Sequence, residues 1–428
     1  MALSRVNFSY EGVLKSNLLA ASACGVVAAI LTFLMLGIGI TVPPDGWAYW
    51  EGSVSLLNGQ GYVRFGGGPI DAFPPLYSII LAGAQFVFGV SGATLILTTS
   101  FLAGLTVAIW SFARFDLQTG TKPDRLLAWV FALFAAFFVP SYFTGLLSET
   151  LFLPMYGLLV VLINRAIVRP VERFAPTVIA GTTLLLAMLL TRNSSVALVA
   201  PLVFLGFVYG RRFSTCKALI ASMAFVCTIV VWYVIRTMMG QAQSHGIDAV
   251  GNYSMREYAQ QLCTDFALRV APLRFGGGFV VAGFMLISGA WAYRSYARRG
   301  VYGNLVLVNA SWSVASLLIL FAMFNVTRVT DELAGRFLWQ YVLHFILVFS
   351  VVVAFVPVPG GRVLTAVMIA VLSIQCARTV SHLSMRMSGR ATANVQSFHT
   401  IRSDFVDRLP EPGGIRTVIS PRDFGNVK

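Results

Sequence analysis

At 428 residues, 57% hydrophobic and 11% charged, with a mean hydropathy of +0.77, the chain holds less than half the charged fraction, about 25%, of a soluble globular domain. That composition excludes a soluble enzyme, and several apolar stretches reach the ~20 residues that cross a bilayer as a helix. The net charge of +14 would suit a nucleic-acid partner, but its placement along the chain fits a membrane topology and no nucleic-acid partner is expected.

A short segment with Arg5 and Lys15 precedes the first apolar run, about residues 17–40. No clear small-residue cleavage site follows it, so it is expected to be a span and not a cleaved signal. Next comes Val42 to Tyr77, VPPDGWAYWEGSVSLLNGQGYVRFGGGPIDAFPPLY, which holds Asp45, Glu51 and Asp71 out of only 17 acidic residues. Loops this long are functional or disordered, and Trp47, Tyr49, Trp50, Leu56 and Leu57 are residues that bury. Trp47, Trp50, Val54 and Leu57 recur at helical spacing and predict a short interfacial helix with Asp45 just before it. Asp45 reads equally well as an N-cap, worth about 1 kcal/mol, or as a catalytic carboxylate. Glu51 and Asp71 are expected to be solvated loop carboxylates.

Leu76–Phe88 would cover only ~20 Å as a helix, short of the ~30 Å hydrocarbon core, and is expected to lie at the membrane surface. Further apolar runs follow at about 93–113, 126–142, 150–167, 176–190, 196–209, 218–238, 277–293, 305–324, 337–356 and 363–377. With Leu76–Phe88 left out and the N-terminus inside, the inner connections carry Arg114, Lys122, Arg125; Arg165, Arg169, Arg173; Arg211, Arg212, Lys217; and Arg294, Arg298, Arg299. This satisfies the positive-inside rule. The expected architecture is an all-α polytopic membrane protein with about 11 transmembrane helices and a long first external loop, 42–92, containing interfacial helices. Residues 1–383 would form the transmembrane unit. Residues 384–428 would form a polar tail, external and flexible or draped on that face.

On the external side stand Glu149, at the head of a span, and four arginines: Arg192 in LLTRNSS, Arg236 in VIRTMM, Arg274 in PLRFGGG and Arg336 in DELAGRFLW. The helix dipole would account for Glu149, but a charge at a span end that faces a cavity favours a functional role. Each arginine alone suits snorkelling to lipid headgroups; together, against the positive-inside trend, they suit phosphate recognition. His344, inside a span, reads as a hydrogen-bonded packing residue. The other histidines are scattered with no metal spacing, the five cysteines suggest no disulfide framework, and no Walker, GxSxG or HExxH motif is present.

The order of these parts resembles the GT-C glycosyltransferases of the lipid A aminoarabinose transferase and protein O-mannosyltransferase type. The resemblance rests on Pro44-Asp45-Gly46 followed by Tyr49, then LLNGQGYV, FPPLYSIILAGAQFVFGVSG, SETLF, LLTRN and GRFLWQ, and covers roughly residues 41–341. It implies an inverting membrane transferase that takes a sugar from a polyprenyl-phosphate donor to a hydroxyl of an envelope glycan, lipid or protein. It places the enzyme in a bacterial inner membrane with its active site on the external (periplasmic) face. Asp45 would be the catalytic base; Glu149, Asp71, Tyr49, Arg192, Arg236, Arg274 and Arg336 would bind substrate. The family's second acidic residue after the first Asp is here Gly46, so no obligatory metal is expected, and Asp71 could stand in for an acidic residue before the PP pair. The rival is a transporter or flippase for an anionic lipid or solute, which would place its charges near the bilayer midplane.

Overall fold

A computed structural model describes residues 10–37, 40–42, 44–64, 67–70, 73–118, 121–144, 147–168, 174–239, 254–273, 276–298, 300–326, 339–388 and 399–401. In chain order these form α1 (Tyr10–Leu36), β1 (Ile40–Val42), α2 (Pro44–Leu57), α3 (Leu76–Phe88), α4 (Gly92–Phe115), α5 (Lys122–Tyr142), α6 (Glu149–Val168) and α7 (Phe174–Leu189). A 3-10 turn, Asn193–Leu198, leads into α8 (Val199–Arg211), followed by α9 (Thr215–Met238), α10 (Met255–Val270) and α11 (Gly277–Ala292), which continues as a π turn, Tyr293–Ala297. Then come α12 (Val301–Val326), α13 (Trp339–Val353), α14 (Gly360–Met387) and β2 (His399–Ile401).

The chain is an all-α polytopic membrane protein. Among the described residues eight helical stretches are long and apolar enough to cross a membrane: α1, α4, α5, α6, the 3-10 turn with α8, α9, α12 and α14. Outward-facing Leu19, Phe101, Val280 and Ile287 are each 66–74% exposed, a display that water would not tolerate over so many helices. Local signals set the helix starts. Ser91 and Ser214 each accept a backbone N–H of the first turn, from Thr94 and Lys217, and Ser254 forms a capping box with Glu257. α14 runs past Ala377 through the polar residues to Met387, because nothing in that stretch breaks a helix before Gly389.

Small residues bring helix axes together, as membrane packing requires. A Cβ on Gly25 of α1 would lie 2.6 Å from the Gly104 carbonyl oxygen of α4. Gly157 of α6 admits the Trp110 indole, 2.9 Å from where its Cβ would be. Around Trp110 the bundle centre is polar but neutral. The Tyr156 and Ser313 hydroxyls lie 3.0 and 3.1 Å from His344 Nδ1, and His344 Nε2 lies 2.6 Å from Asn309 Oδ1. Asn309 Nδ2 in turn donates to Asn164 Oδ1 at 2.8 Å. With the proton on Nε2, His344 donates to Asn309 and accepts from both hydroxyls, while Asn164 Nδ2 is left without a partner among the described residues. His344 is the hydrogen-bonded packing residue its setting in a span suggests.

Charge gathers at the two ends of the bundle. At one end Arg114 of α4 is fully buried against Asp124 of α5, its Nε donating to Ser350 Oγ at 2.7 Å. Nearby, Arg165 Nε reaches Asp116 Oδ2 at 2.8 Å. Two of the arginines counted toward the positive-inside bias are thus paired with aspartates, and the bias among described residues rests on the others.

Candidate active site

The opposite end carries the candidate site. α2 begins at Pro44, a favoured first helical residue. Asp45 therefore lies inside its first turn, not before it as a cap; the structure describes the Asp45 backbone and not its side chain. One turn on, Tyr49 is buried, its ring edge-on to Phe73 and Tyr77 at 5.4 and 5.2 Å. Trp50 and Val54 are buried in the main core, and Trp47 packs partly against it, so the spaced stripe is the face that docks. Polar contacts lock α2 to α3: Ser78 Oγ donates to the Tyr49 carbonyl at 2.9 Å, and Gln85 Nε2 to Ser53 Oγ at 3.1 Å.

The loop between α2 and α3 folds back over α2. Tyr62 lies so close to Gly52 that a Cβ there would be 2.4 Å from its ring, and its hydroxyl donates to the Phe73 carbonyl at 3.1 Å. Glu51 is not a solvated loop carboxylate. It lies in α2, half-buried, and accepts from Trp47 Nε1 at 3.1 Å. Burial raises its pKa, with Arg64 and the Trp47 bond pulling the other way. The stripe that buries α2 carries Glu51 into its edge.

α3 is fastened to the bundle at the LLTRN turn. The Leu76 N–H donates to the Leu190 carbonyl at 2.9 Å. There Arg192 Nη1 lies 3.0 Å from Glu149 Oε1, the two side chains only 7% and 3% exposed, with the guanidinium carbon 5.8 Å from the Phe152 ring. Arg236, at the end of α9, donates from Nη1 to Asn193 Oδ1 at 3.3 Å and stands over Trp232. Tyr77 is wholly buried above this group. Burial lifts its phenol well above the ordinary range, Thr150 and Thr99 lower it, and the Glu149 carboxylate adds to the rise. Arg192 is also the charged neighbour of Tyr341 on α13, which brings the start of the helix that follows Arg336 to this place.

One ion pair, Glu149–Arg192, with Arg236 beside it, thus lies beneath a cap of α2 and α3. Of the remaining expected site residues, Asp71, Arg274 and Arg336 fall outside the described residues. Among the described residues no three His, Cys, Asp or Glu side chains converge. Tyr77, Thr150 and Asn193 were not singled out by sequence, since a Tyr, a Thr and an Asn carry no pattern of their own. Their adjacency to SETLF and LLTRN was the available signal. Equally unforeseen, Arg269 and Arg378 both stand over the Tyr142 ring, at 5.0 and 4.7 Å.

No protein-family model and no curated protein matches the sequence. Solved structures do match. ArnT from Cupriavidus metallidurans superposes with a TM-score of 0.59 in the apo state, at 13% identity, over 87% of this chain and 78% of that one. Bound to undecaprenyl phosphate it superposes at 0.58 and 14%, over the same shares. The arabinosyltransferase EmbB from Mycobacterium smegmatis matches at 0.52 and 14%, over 87% of this chain and 41% of its own. The chain has the GT-C fold. The resemblance read from sequence motifs and the backbone agree, although identity is too low for either neighbour's substrates to carry over by alignment.

Proposed function

We propose that the protein is a GT-C glycosyltransferase that moves a sugar from a polyprenyl-phosphate donor to an acceptor hydroxyl, with inversion. The observation that carries this is the buried Glu149–Arg192 pair beneath the α2–α3 cap, in a fold shared with a protein solved with undecaprenyl phosphate bound.

In this reading eleven helices span the membrane: α1, α4 to α9 and α11 to α14, with α2, α3 and α10 at the surface. The capped end faces the outside of a bacterial inner membrane. Asp45 takes the proton of the acceptor hydroxyl, whose oxygen attacks C1 of the sugar from the face opposite the phosphate. The C1–O bond to phosphate breaks, and its electron pair leaves with the polyprenyl phosphate. Arg192 and Arg236, with Arg274 and Arg336, meet the phosphate and the charge it gains. Glu149 holds Arg192 in place and orients hydroxyls; Asp71 and Tyr49 are assigned to substrate binding, as the family resemblance implies. No metal is assigned to the reaction. The acceptor is an envelope glycan, lipid or protein.

The transporter reading is disfavoured by the neutral bundle centre, where Tyr156, His344, Asn309 and Asn164 bond to one another while the ion pairs stand at the ends. The test compares polyprenyl-phosphate-linked sugars in membranes with and without the gene. The transferase reading expects an accumulating carrier-linked sugar and a sugar missing from an envelope product; unchanged pools and products overturn it.

A further inference from the structure

We propose that the bundle end opposite the candidate active site binds an anionic phospholipid, with one acyl chain between the helices and its phosphate at Arg212 and Lys217. A cavity of about 250 Å³ opens among α6, α7, α8, α9 and α12. Its walls are mostly apolar, with Leu159, Ile163, Val178, Leu205, Phe225 and Leu307 among the lining residues. Gly181 and Gly206 lie against the Phe225 ring, where a Cβ on either would come within 3.1 or 2.9 Å of it, and so leave the space open.

The mouth is of different chemistry. Tyr209 and Arg212 line it. The Tyr209 hydroxyl is buried without a hydrogen-bond partner among the described residues, which a ligand oxygen would remedy. Arg212 donates from Nη1 to the Ala166 carbonyl at 2.7 Å, which holds it across the mouth from α6. Lys217, just outside the lining, has its Nζ 5.6 and 5.1 Å from the Phe174 and Phe213 rings, which pack 6.0 and 5.4 Å from the Tyr209 ring. The five lining helices contain one acidic residue, Glu149, at the other end of α6, and the nearest cavity residue on that helix, Leu159, is ~15 Å along it. At this end Asp116, from the end of α4, is paired with Arg165, and Glu172, before α7, lies outside the described residues.

An apolar slot with cations and an orphan hydroxyl at the same end suits a molecule whose chain and charge meet there. A phospholipid of the facing leaflet does so. A polyprenyl phosphate held at Arg192 does not, because its one charged group lies at the opposite end of the bundle.

The test is native mass spectrometry of the full chain, titrated with palmitoyl-oleoyl phosphatidylglycerol and, separately, the matching phosphatidylcholine. The unsubstituted protein is expected to retain one phosphatidylglycerol, about tenfold tighter than the choline lipid. Arg212→Glu, at an exposed position, should abolish that preference, and Leu205→Trp should reduce retention of both lipids. Equal binding of the two lipids, or an unaltered preference in Arg212→Glu, overturns the proposal. So does displacement of the retained lipid by added undecaprenyl phosphate, which would assign the cavity to that tail. Should Leu205→Trp fail to fold, the Arg212→Glu arm decides alone.

Discussion

The two ends of the bundle each bury an arginine against a carboxylate, and the pairs differ in what surrounds them. Arg114 and Asp124 are 0% and 1% exposed, and the Ser350 side chain and carbonyl add further bonds. That pair ties α4, α5 and α13 together. Arg192 and Glu149 are nearly as buried, yet they sit at a helix start and a turn, beneath a cap built from a loop, with Arg236 and Asn193 alongside. Burying an ion pair is costly and seldom a net gain in stability. The first pair is enclosed by spans alone and holds helices in register; the second lies at a helix start and a turn, under the α2–α3 cap and beside Arg236.

Six substitutions would break or sharpen that contrast. The largest expected effect is on transfer: Asp45→Asn and Glu149→Gln should each lower turnover by about 10²-fold or more, measured on reconstituted protein with a polyprenyl-phosphate sugar. Full transfer by Asp45→Asn at normal expression would remove it as the base. Next is stability. Arg114→Ala removes the buried ion-pair partner of Asp124 and should cost about 3–5 kcal/mol, seen in thermal unfolding in detergent. Arg192→Ala should cost less, since Ser148 Oγ still donates to Glu149 Oε2 at 3.4 Å, while lowering transfer as far as Glu149→Gln does. Equal unfolding losses from the two alanines would erase the distinction drawn here.

A smaller effect is expected of Arg236→Lys, which keeps the charge and loses the planar fork. It should raise KM for the donor about tenfold and leave kcat within about twofold; a loss confined to kcat would place Arg236 elsewhere in the reaction. The smallest concerns Glu51. Its folded pKa is raised, mainly by burial, so folding binds its proton more tightly than the unfolded chain does. Stability should therefore fall as pH rises from the ordinary Glu range through the raised value, then level off. Glu51→Gln should remove that decline, raising Tm by about 1–2 °C at pH 8 and by nothing near pH 4; the opposite pH order would show that Trp47, not burial, governs the group.

Much of this was legible before any coordinates. Each of the eleven apolar runs that hydropathy placed overlaps a helix among the described residues, because a chain in lipid must satisfy its backbone locally and the signal needs no distant partner. Leu76–Phe88 came out at the residues of α3, bounded by Pro75 and by Gly89 at φ 84°. The aromatic stripe of α2 was readable for the same reason, since helical spacing sorts faces within one segment.

What sequence could not determine is which polar residues share a place. Glu149 and Arg192 are far apart in the chain, and each alone was explained by the dipole or by snorkelling; only the fold sets them 3.0 Å apart. Glu51 looked solvated until α2 was docked, and Arg114 looked like a free topogenic charge until Asp124 was found against it. Periodicity reports the environment a single helix prefers. Pairing depends on how helices cross, and that is decided by contacts such as Gly25 with Gly104, whose consequences appear only when the whole bundle is packed.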